Sequence, residues 1–120
     1  MTTVLVVLAG GVGAVARFVV DGVIRSRWPS RFPWATIVIN VSGSLLLGVL
    51  TGLMLYRQVD TDVRLVLGTG FCGGYTTFST ATFETVRLLQ QGRRGHAVLN
   101  GLGTALLCLG AAALGLVATQ

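Results

Sequence analysis

Long stretches without a charged residue decide what this chain can fold into. Crossing the hydrocarbon core of a bilayer takes about 20 predominantly apolar residues. Three uncharged stretches are that long: 34–56, 65–83 and 97–120. A fourth, residues 2–24, contains only Arg17 and Asp21 as charged groups. We therefore predict an all-α membrane protein whose four transmembrane helices cover approximately residues 2–24, 34–56, 64–91 and 96–119.

The composition agrees with a membrane location and leaves no room for a separate soluble domain. Mean hydropathy is +0.78, and 11% of the residues are charged, against roughly 25% in soluble domains. We treat residues 1–120 as one transmembrane domain in a multi-pass protein of the cell membrane. All nine basic residues are arginines, and most flank the apolar spans, which favours a role in topology over nucleic-acid binding. No nucleophile–base set is visible, so we expect no enzyme.

The arginines also predict an orientation. With four spans, the first and third links lie on one side of the membrane and the second link lies on the other. Two arginines flank the second link, Arg57 and Arg64. The other two links have six: Arg25, Arg27, Arg31, Arg87, Arg93 and Arg94. Arginines concentrate in cytoplasmic links, so both termini are expected outside the cell.

The segment "GFCGGYTTFSTATFE", residues 70–84, suits a plain apolar helix poorly, because glycines are followed by many hydroxyl side chains. Such a helix can break at membrane depth, where freed carbonyls bind cations. Gly73 and Gly74 are then the expected break, and Thr76 begins a second half-helix. Alternatively, the glycines only permit close packing and the hydroxyls bond to carbonyls one turn earlier. The sequence leaves both possibilities open.

Polar side chains recur in the neighbouring spans. Asn40 is the only carboxamide of the second span, and a stripe at i, i+4, i+8 follows in the fourth: Asn100, Thr104 and Cys108. A lone intramembrane Asn often forms just a helix–helix hydrogen bond. Together with a hydroxyl-rich broken helix, however, these residues indicate a track of uncharged donors that suits a permeating anion.

Charges approach this predicted track only near its ends, at Arg17 and Glu84. Phe78 lies among the hydroxyls and could present the positive edge of its ring to an anion. Core packing is the other role open to Phe78.

Three blocks, "GGVGAVARF", "VINVSGSLLLG" and "GFCGGYTTFST", followed by Glu84, resemble the signature blocks of the Fluc/CrcB fluoride channels in order and spacing. The resemblance covers nearly the whole chain, and its third block is the most specific. It implies a passive channel that exports cytoplasmic fluoride and so reduces its toxicity. It also implies an antiparallel dimer with a structural sodium ion that is not transported.

The resemblance assigns roles to numbered residues of this chain. The sodium-binding backbone carbonyls fall on Gly73 and Thr76, and the supporting charges on Arg17 and Glu84. The fluoride pore takes the remaining positions: Asn40, Thr77, Phe78, Ser79, Thr80, Asn100, Thr104 and Cys108.

Two features depart from the family pattern. The family has a second pore phenylalanine three residues after the first, where this chain has Ala81. Phe83 cannot replace it, because five residues rotate by about 140° around a helix. In addition, the arginine bias fixes one orientation, whereas an antiparallel homodimer needs both. Both features suggest a heterodimer with a related subunit of opposite orientation, and a homodimer is the alternative.

Two other functions remain to be separated from a fluoride channel. A proton-coupled small multidrug transporter needs a carboxylate within the membrane. Asp21 lies at the end of the first span, four residues after Arg17, where either a local pair or snorkelling to the interface is expected. Glu84 ends the uncharged part of the third span. Neither carboxylate is well placed. A non-conducting partner subunit is the other alternative, and it predicts no ion flux in any pairing.

Overall fold

The computed structural model describes residues 1–30 and 32–120, and these residues fold into helices joined by short links. Arg31, one of the arginines in the orientation count, lies outside the described residues. Five helical segments follow one another: α1 (Thr2–Arg27), α2 (Trp34–Arg57), α3 (61–75), α4 (Phe78–Gln90) and α5 (Arg94–Ala118). Within two of them the backbone adopts π-helical geometry, at Leu65–Cys72 of α3 and Leu99–Gly103 of α5.

Among the described residues, three helices, α1, α2 and α5, are long and apolar enough to cross a membrane. The predicted third span, 64–91, is divided between α3 and α4. The other observed bounds differ little from the predicted ones: α1 continues to Arg27, and α5 begins at Arg94. The molecule is 48 Å long, more than the ~30 Å of a hydrocarbon core, which is long enough for the ends of the bundle to reach the headgroup region.

The links contain residues that stop helices. Pro33 precedes the first residue of α2, where its fixed φ and missing N–H suit a helix start. Gln58, the residue after α2, has a left-handed φ of 56°. The N–H of the next residue, Val59, donates to the Leu53 carbonyl. Gly92, with a φ of 75°, makes the turn between α4 and α5, a conformation that costs glycine little.

Glycines bring the helices together in two seams. In the α2–α5 seam, a Cβ on Gly48 would collide with the backbone of Ala112, and one on Gly115 would lie 2.6 Å from the Leu45 carbonyl oxygen. In the α1–α3 seam, a Cβ on Gly74 would collide with the backbone of Gly10. Small residues at such positions let helix backbones touch in lipid. These glycines therefore lie at close helix contacts.

The helical backbone of α3 continues through Gly73 and Gly74 and ends at Tyr75. Thr76 (φ −80°, ψ 159°) and Thr77 (φ −147°, ψ 113°) are extended, and α4 begins at Phe78. The interruption thus lies later than the predicted position at Gly73 and Gly74, and Thr76 does not start the second helix.

Asp21 forms a local ion pair, one of its two expected states, but with a different arginine. Its Oδ1 lies 2.8 Å from Nε of Arg25, one turn later in α1, and not against Arg17.

Candidate functional site

A groove of about 640 Å³ lies between α2, α3, α4 and α5, beside the interruption at Thr76 and Thr77. Asn40 faces it from α2, Gly73 and Thr76 from α3, and Phe78 from the start of α4. Across from them, α5 contributes the predicted polar stripe: Asn100, Thr104 and Cys108. Among the described residues that line the groove, none is acidic and one, Arg64, is basic.

Asn40 holds the interrupted backbone by two hydrogen bonds to a single residue. Its Nδ2 donates to the Thr77 carbonyl oxygen at 3.0 Å, and its Oδ1 accepts from the Thr77 N–H at 2.8 Å. Both residues are buried. A buried backbone N–H or C=O without a partner is costly, so this carboxamide supplies in the membrane what a continuous helix would have supplied itself.

The diverted N–H groups leave particular carbonyls free of their helical partners. In a continuous α-helix, the N–H of Thr77 would donate to the Gly73 carbonyl, but here it donates to Asn40. The N–H of Thr80 would donate to the Thr76 carbonyl, but here it donates to the Thr77 hydroxyl at 3.2 Å. The carbonyls of Gly73 and Thr76 therefore lack their i+4 donors.

The hydroxyls around the interruption help to shape it. Thr76 Oγ1 donates to the Cys72 carbonyl one turn earlier, at 2.7 Å, and completes the end of α3. Thr77 is the N-cap of α4, where its hydroxyl accepts the Thr80 N–H; capping of this kind by threonine stabilises a helix start. The threonines thus end one helix and begin the next, while Gly74 is used for packing against α1.

The stripe on α5 is partly occupied by internal hydrogen bonds. Nδ2 of Asn100 donates to the Thr85 hydroxyl at 2.8 Å, and that hydroxyl donates to the Ala81 carbonyl at 2.9 Å. Thr104 differs, because its buried hydroxyl has no partner among the described residues and lies on the groove. Cys108, half-buried, extends the stripe.

The structure separates the predicted pore residues into two groups. Asn40, Thr77, Phe78, Asn100, Thr104 and Cys108 line the groove, whereas Ser79 and Thr80 do not. The hydroxyl of Thr80 instead accepts a hydrogen bond from Thr77 at 3.0 Å. The Phe78 side chain is 86% exposed, so its packing within this single chain is slight. Ala81 faces the groove one turn after Phe78.

Arg17 and Glu84, the predicted supporting charges, both lie away from the groove lining. The salt bridges among the described residues do not include Arg17. Glu84 accepts a hydrogen bond from the Thr36 hydroxyl at 2.6 Å and lies 3.2 Å from Nη2 of Arg25. Glu84 therefore ties α4 to α1 and α2 at the end of the bundle.

Arg64 was missed by the sequence reasoning, which treated it only as a topology signal. It is half-buried on the groove, and its Nε is buried without a partner among the described residues. The available signal was its spacing, because steps of four residues along α3 lead from Arg64 to three groove residues: Gly68, Cys72 and Thr76. Thr85, also missed, lies seven residues after Phe78 and so on the same face of α4.

Helices long and apolar enough to cross a membrane, grouped around a groove of uncharged donors, define a multi-pass membrane protein with a candidate ion pathway. Residues 4–116 match the family model described as "CrcB-like protein, Camphor Resistance (CrcB)". The chain belongs to this family.

The chain is also similar to curated proteins over nearly its whole length. It is 54% identical over 116 residues to "Fluoride-specific ion channel FluC 1" of Leifsonia xyli subsp. xyli, covering 97% of this chain and 85% of that protein. It is 49% identical to "Fluoride-specific ion channel FluC 2" of Cutibacterium acnes, covering 97% and 95%. The archaeal "Fluoride-specific ion channel FluC" of Pyrococcus abyssi is 38% identical over 97% and 94%.

Proposed function

We propose that this protein is a fluoride-specific ion channel that lets cytoplasmic fluoride leave the cell passively. The observation that carries the proposal is the groove beside Thr76 and Thr77, whose lining offers uncharged donors and, among the described residues, one charged group, Arg64. The names of the similar proteins, all fluoride-specific ion channels and not enzymes, support the same conclusion.

The groove residues supply what an anion needs after losing water. The Thr104 hydroxyl has no partner among the described residues. Asn40 Nδ2 uses one of its two N–H groups on Thr77, which leaves the other for the groove. Donors of this kind replace hydration without fixing a permanent charge beside the ion, so a bound anion can also be released. The exposed ring of Phe78 adds a positive edge at the groove wall.

The residues at the interruption fit the structural sodium ion that the family resemblance implies. The carbonyls of Gly73 and Thr76 lack their i+4 donors because Asn40 and Thr77 take those N–H groups. A Cβ on Gly73 would meet nothing within 4 Å, so this side of the chain is open. When bound, sodium would supply positive charge between carbonyl dipoles. This chain's residues hold the backbone in the shape that presents those oxygens.

An antiparallel dimer is part of the proposal. Gly73 and Phe78 are both exposed beside the interruption, on a surface that a second chain would cover. Ala81 lines the groove where a second phenylalanine is expected, and the arginine bias predicts a single orientation with both termini outside. These two features favour a heterodimer with a related subunit of opposite orientation, and a homodimer remains the competing assembly.

The transporter alternative has no support in the site. Proton coupling needs a carboxylate that is free to titrate in the pathway. Asp21 and Glu84 both pair with Arg25, and neither lines the groove.

The test is fluoride efflux from liposomes that contain the purified chain, followed with a fluoride electrode, with chloride efflux measured in parallel. We expect fluoride efflux without chloride efflux, either from the lone chain or only after a related subunit is added. Efflux from the lone chain would favour the homodimer. Absence of fluoride efflux with and without the related subunit would contradict the channel and leave a non-conducting subunit.

A further inference from the structure

A second cavity, of about 660 Å³, opens at the end of the bundle where α1 ends, α2 begins and α4 turns into α5. It is strongly basic: Arg25, Arg87 and Arg93 line it together with one acidic residue, Glu84. Asp21, outside the lining, also pairs with Arg25, so the three arginines and the two carboxylates leave one positive charge. This cavity takes no part in the fluoride pathway proposed above, and none of its lining residues faces the groove.

The charges in the cavity are unequally paired. Arg25 is held by Asp21 at 2.8 Å and by Glu84 at 3.2 Å, so the only carboxylate of the cavity is already engaged. The salt bridges among the described residues include neither Arg87 nor Arg93. Nη1 of Arg93 is buried and has no partner among the described residues. A buried guanidinium N–H without an acceptor is costly, so the Arg93 side chain would gain by turning toward an anion in the cavity.

The volume of the cavity and its position near the headgroup region indicate which kind of anion it binds. A volume of about 660 Å³ exceeds what a single halide needs. Guanidinium groups match the oxygens of a phosphate with two parallel N–H donors. Phe32, on the cavity wall, packs against Trp34 with 4.9 Å between ring centroids, and Trp34 is the first residue of α2. Tryptophan at a span end marks the headgroup region, where lipid phosphates lie.

We propose that this cavity binds a phosphate group, with Arg93 and Arg87 as its main ligands. The phosphate of an anionic phospholipid headgroup is one source and free phosphate is the other. Basic pockets between helix ends on the cytoplasmic side of membrane proteins bind lipid headgroups in this way.

The experiment measures the thermal unfolding of the purified full chain in detergent. The probes are phosphatidylglycerol, diacylglycerol with the same acyl chains, and inorganic phosphate. A ligand that binds only the folded protein raises Tm. We expect phosphatidylglycerol to raise Tm by about 5 °C, and diacylglycerol, which lacks the phosphate, to raise it little. An equal rise with inorganic phosphate would support the same site with free phosphate as its source.

Variants assign the effect to the cavity. We expect Arg93→Gln and Arg87→Gln to lose most of the Tm shift. Arg94→Gln is the matched control, since Arg94 is the exposed neighbour of Arg93 and does not line the cavity; it should keep the full shift. If Arg93→Gln does not fold, Arg93→Lys is the substitute. It keeps the charge but loses the two parallel N–H donors of the guanidinium, so its Tm shift should be reduced. A full shift in the folded Arg93 and Arg87 variants, or an equal shift with diacylglycerol, would overturn the proposal.

Discussion

The α2–α5 seam and the interruption between α3 and α4 solve opposite problems with different residues. In the seam, Gly48 and Gly115 let two regular helices touch along their backbones. At the interruption, Asn40 and two threonines replace the bonds that a regular helix would make. Gly74, next to the interruption, belongs with the first group because it packs against Gly10. Glycines thus set the distances between helices, and amide and hydroxyl groups set where one helix stops.

This difference separates two kinds of defect. Variants in the seam should change stability, whereas variants on the groove should change ion flux. A variant at the interruption should change both, since Asn40 joins backbone structure to the groove.

Asn40→Leu should have the largest effect. It leaves the N–H and the C=O of Thr77 buried without partners, which costs about 3 kcal/mol of folding free energy, and it removes a donor from the groove. We expect fluoride flux from reconstituted vesicles to fall by about 100-fold or more.

Ser42→Ala is the control for Asn40→Leu. Ser42 lies two residues away on α2, and its hydroxyl bonds to Ile39 and Tyr75 away from the groove. The flux of Ser42→Ala should stay within about twofold of wild type, since each of these neutral hydrogen bonds contributes little. Equal losses of flux in Asn40→Leu and Ser42→Ala would show that the two hydrogen bonds between Asn40 and Thr77 have no special role.

Gly48→Leu should come next and should act on stability alone. Its side chain would collide with the backbone of Ala112, which costs about 3 kcal/mol when helices must separate. We expect a lower Tm in detergent, and flux per folded assembly close to wild type. Gly110→Leu is the matched control on α5, because a Cβ there meets nothing within 4 Å. If both variants lower Tm equally, close packing at Gly48 is not what stabilises the seam.

Thr104→Val should reduce flux without lowering stability. The substitution keeps the shape and removes a hydroxyl that has no partner among the described residues, so the folded protein loses no internal hydrogen bond. We expect flux to fall by about tenfold, the value of one donor, with Tm unchanged or raised. Thr82→Val on the same groove is the comparison, because the Thr82 hydroxyl is already bonded to the Phe78 carbonyl. A larger flux loss in Thr82→Val would reverse the assignment.

Arg64→Gln should have the smallest effect, visible mainly at low ionic strength. A positive charge at the groove raises the local concentration of anions, and salt screens that attraction. We expect flux to fall by about threefold at low salt and little at high salt. Arg57→Gln, on the same link but off the groove, should behave as wild type. A loss independent of salt would mean that Arg64 acts through structure.

The lengths of the uncharged stretches predicted α1, α2 and α5 to within a few residues, because a bilayer imposes length and hydropathy on each span. The polar stripe on α5 was also predictable, but from helical periodicity: i, i+4 spacing places Asn100 and Thr104 on one face of a helix. The position of the interruption was not predictable from the sequence, because glycine alone does not decide where a helix ends. The carboxamide of Asn40, 37 residues away in the chain, forms hydrogen bonds with the Thr77 backbone. These bonds exist only after α2 and α3 have packed.

The charged residues show the same limit. Asp21 has an arginine one turn before it and another one turn after it, and the fold selects Arg25, which also reaches Glu84 of α4. Arg64 was assigned to topology because its distance from the groove depends on how α3 packs. Spacing along one helix is local, whereas the partner across the bundle is set by tertiary structure.

The most direct test of the interruption is solid-state NMR of the chain in lipid bilayers, with 13C chemical shifts assigned for residues 72–80. We expect shifts typical of helix up to Tyr75, of extended backbone at Thr76 and Thr77, and of helix again from Phe78. Helical shifts at both threonines would mean that the Gly73 and Thr76 carbonyls keep their helical partners, and would contradict both the sodium site and the groove built on it.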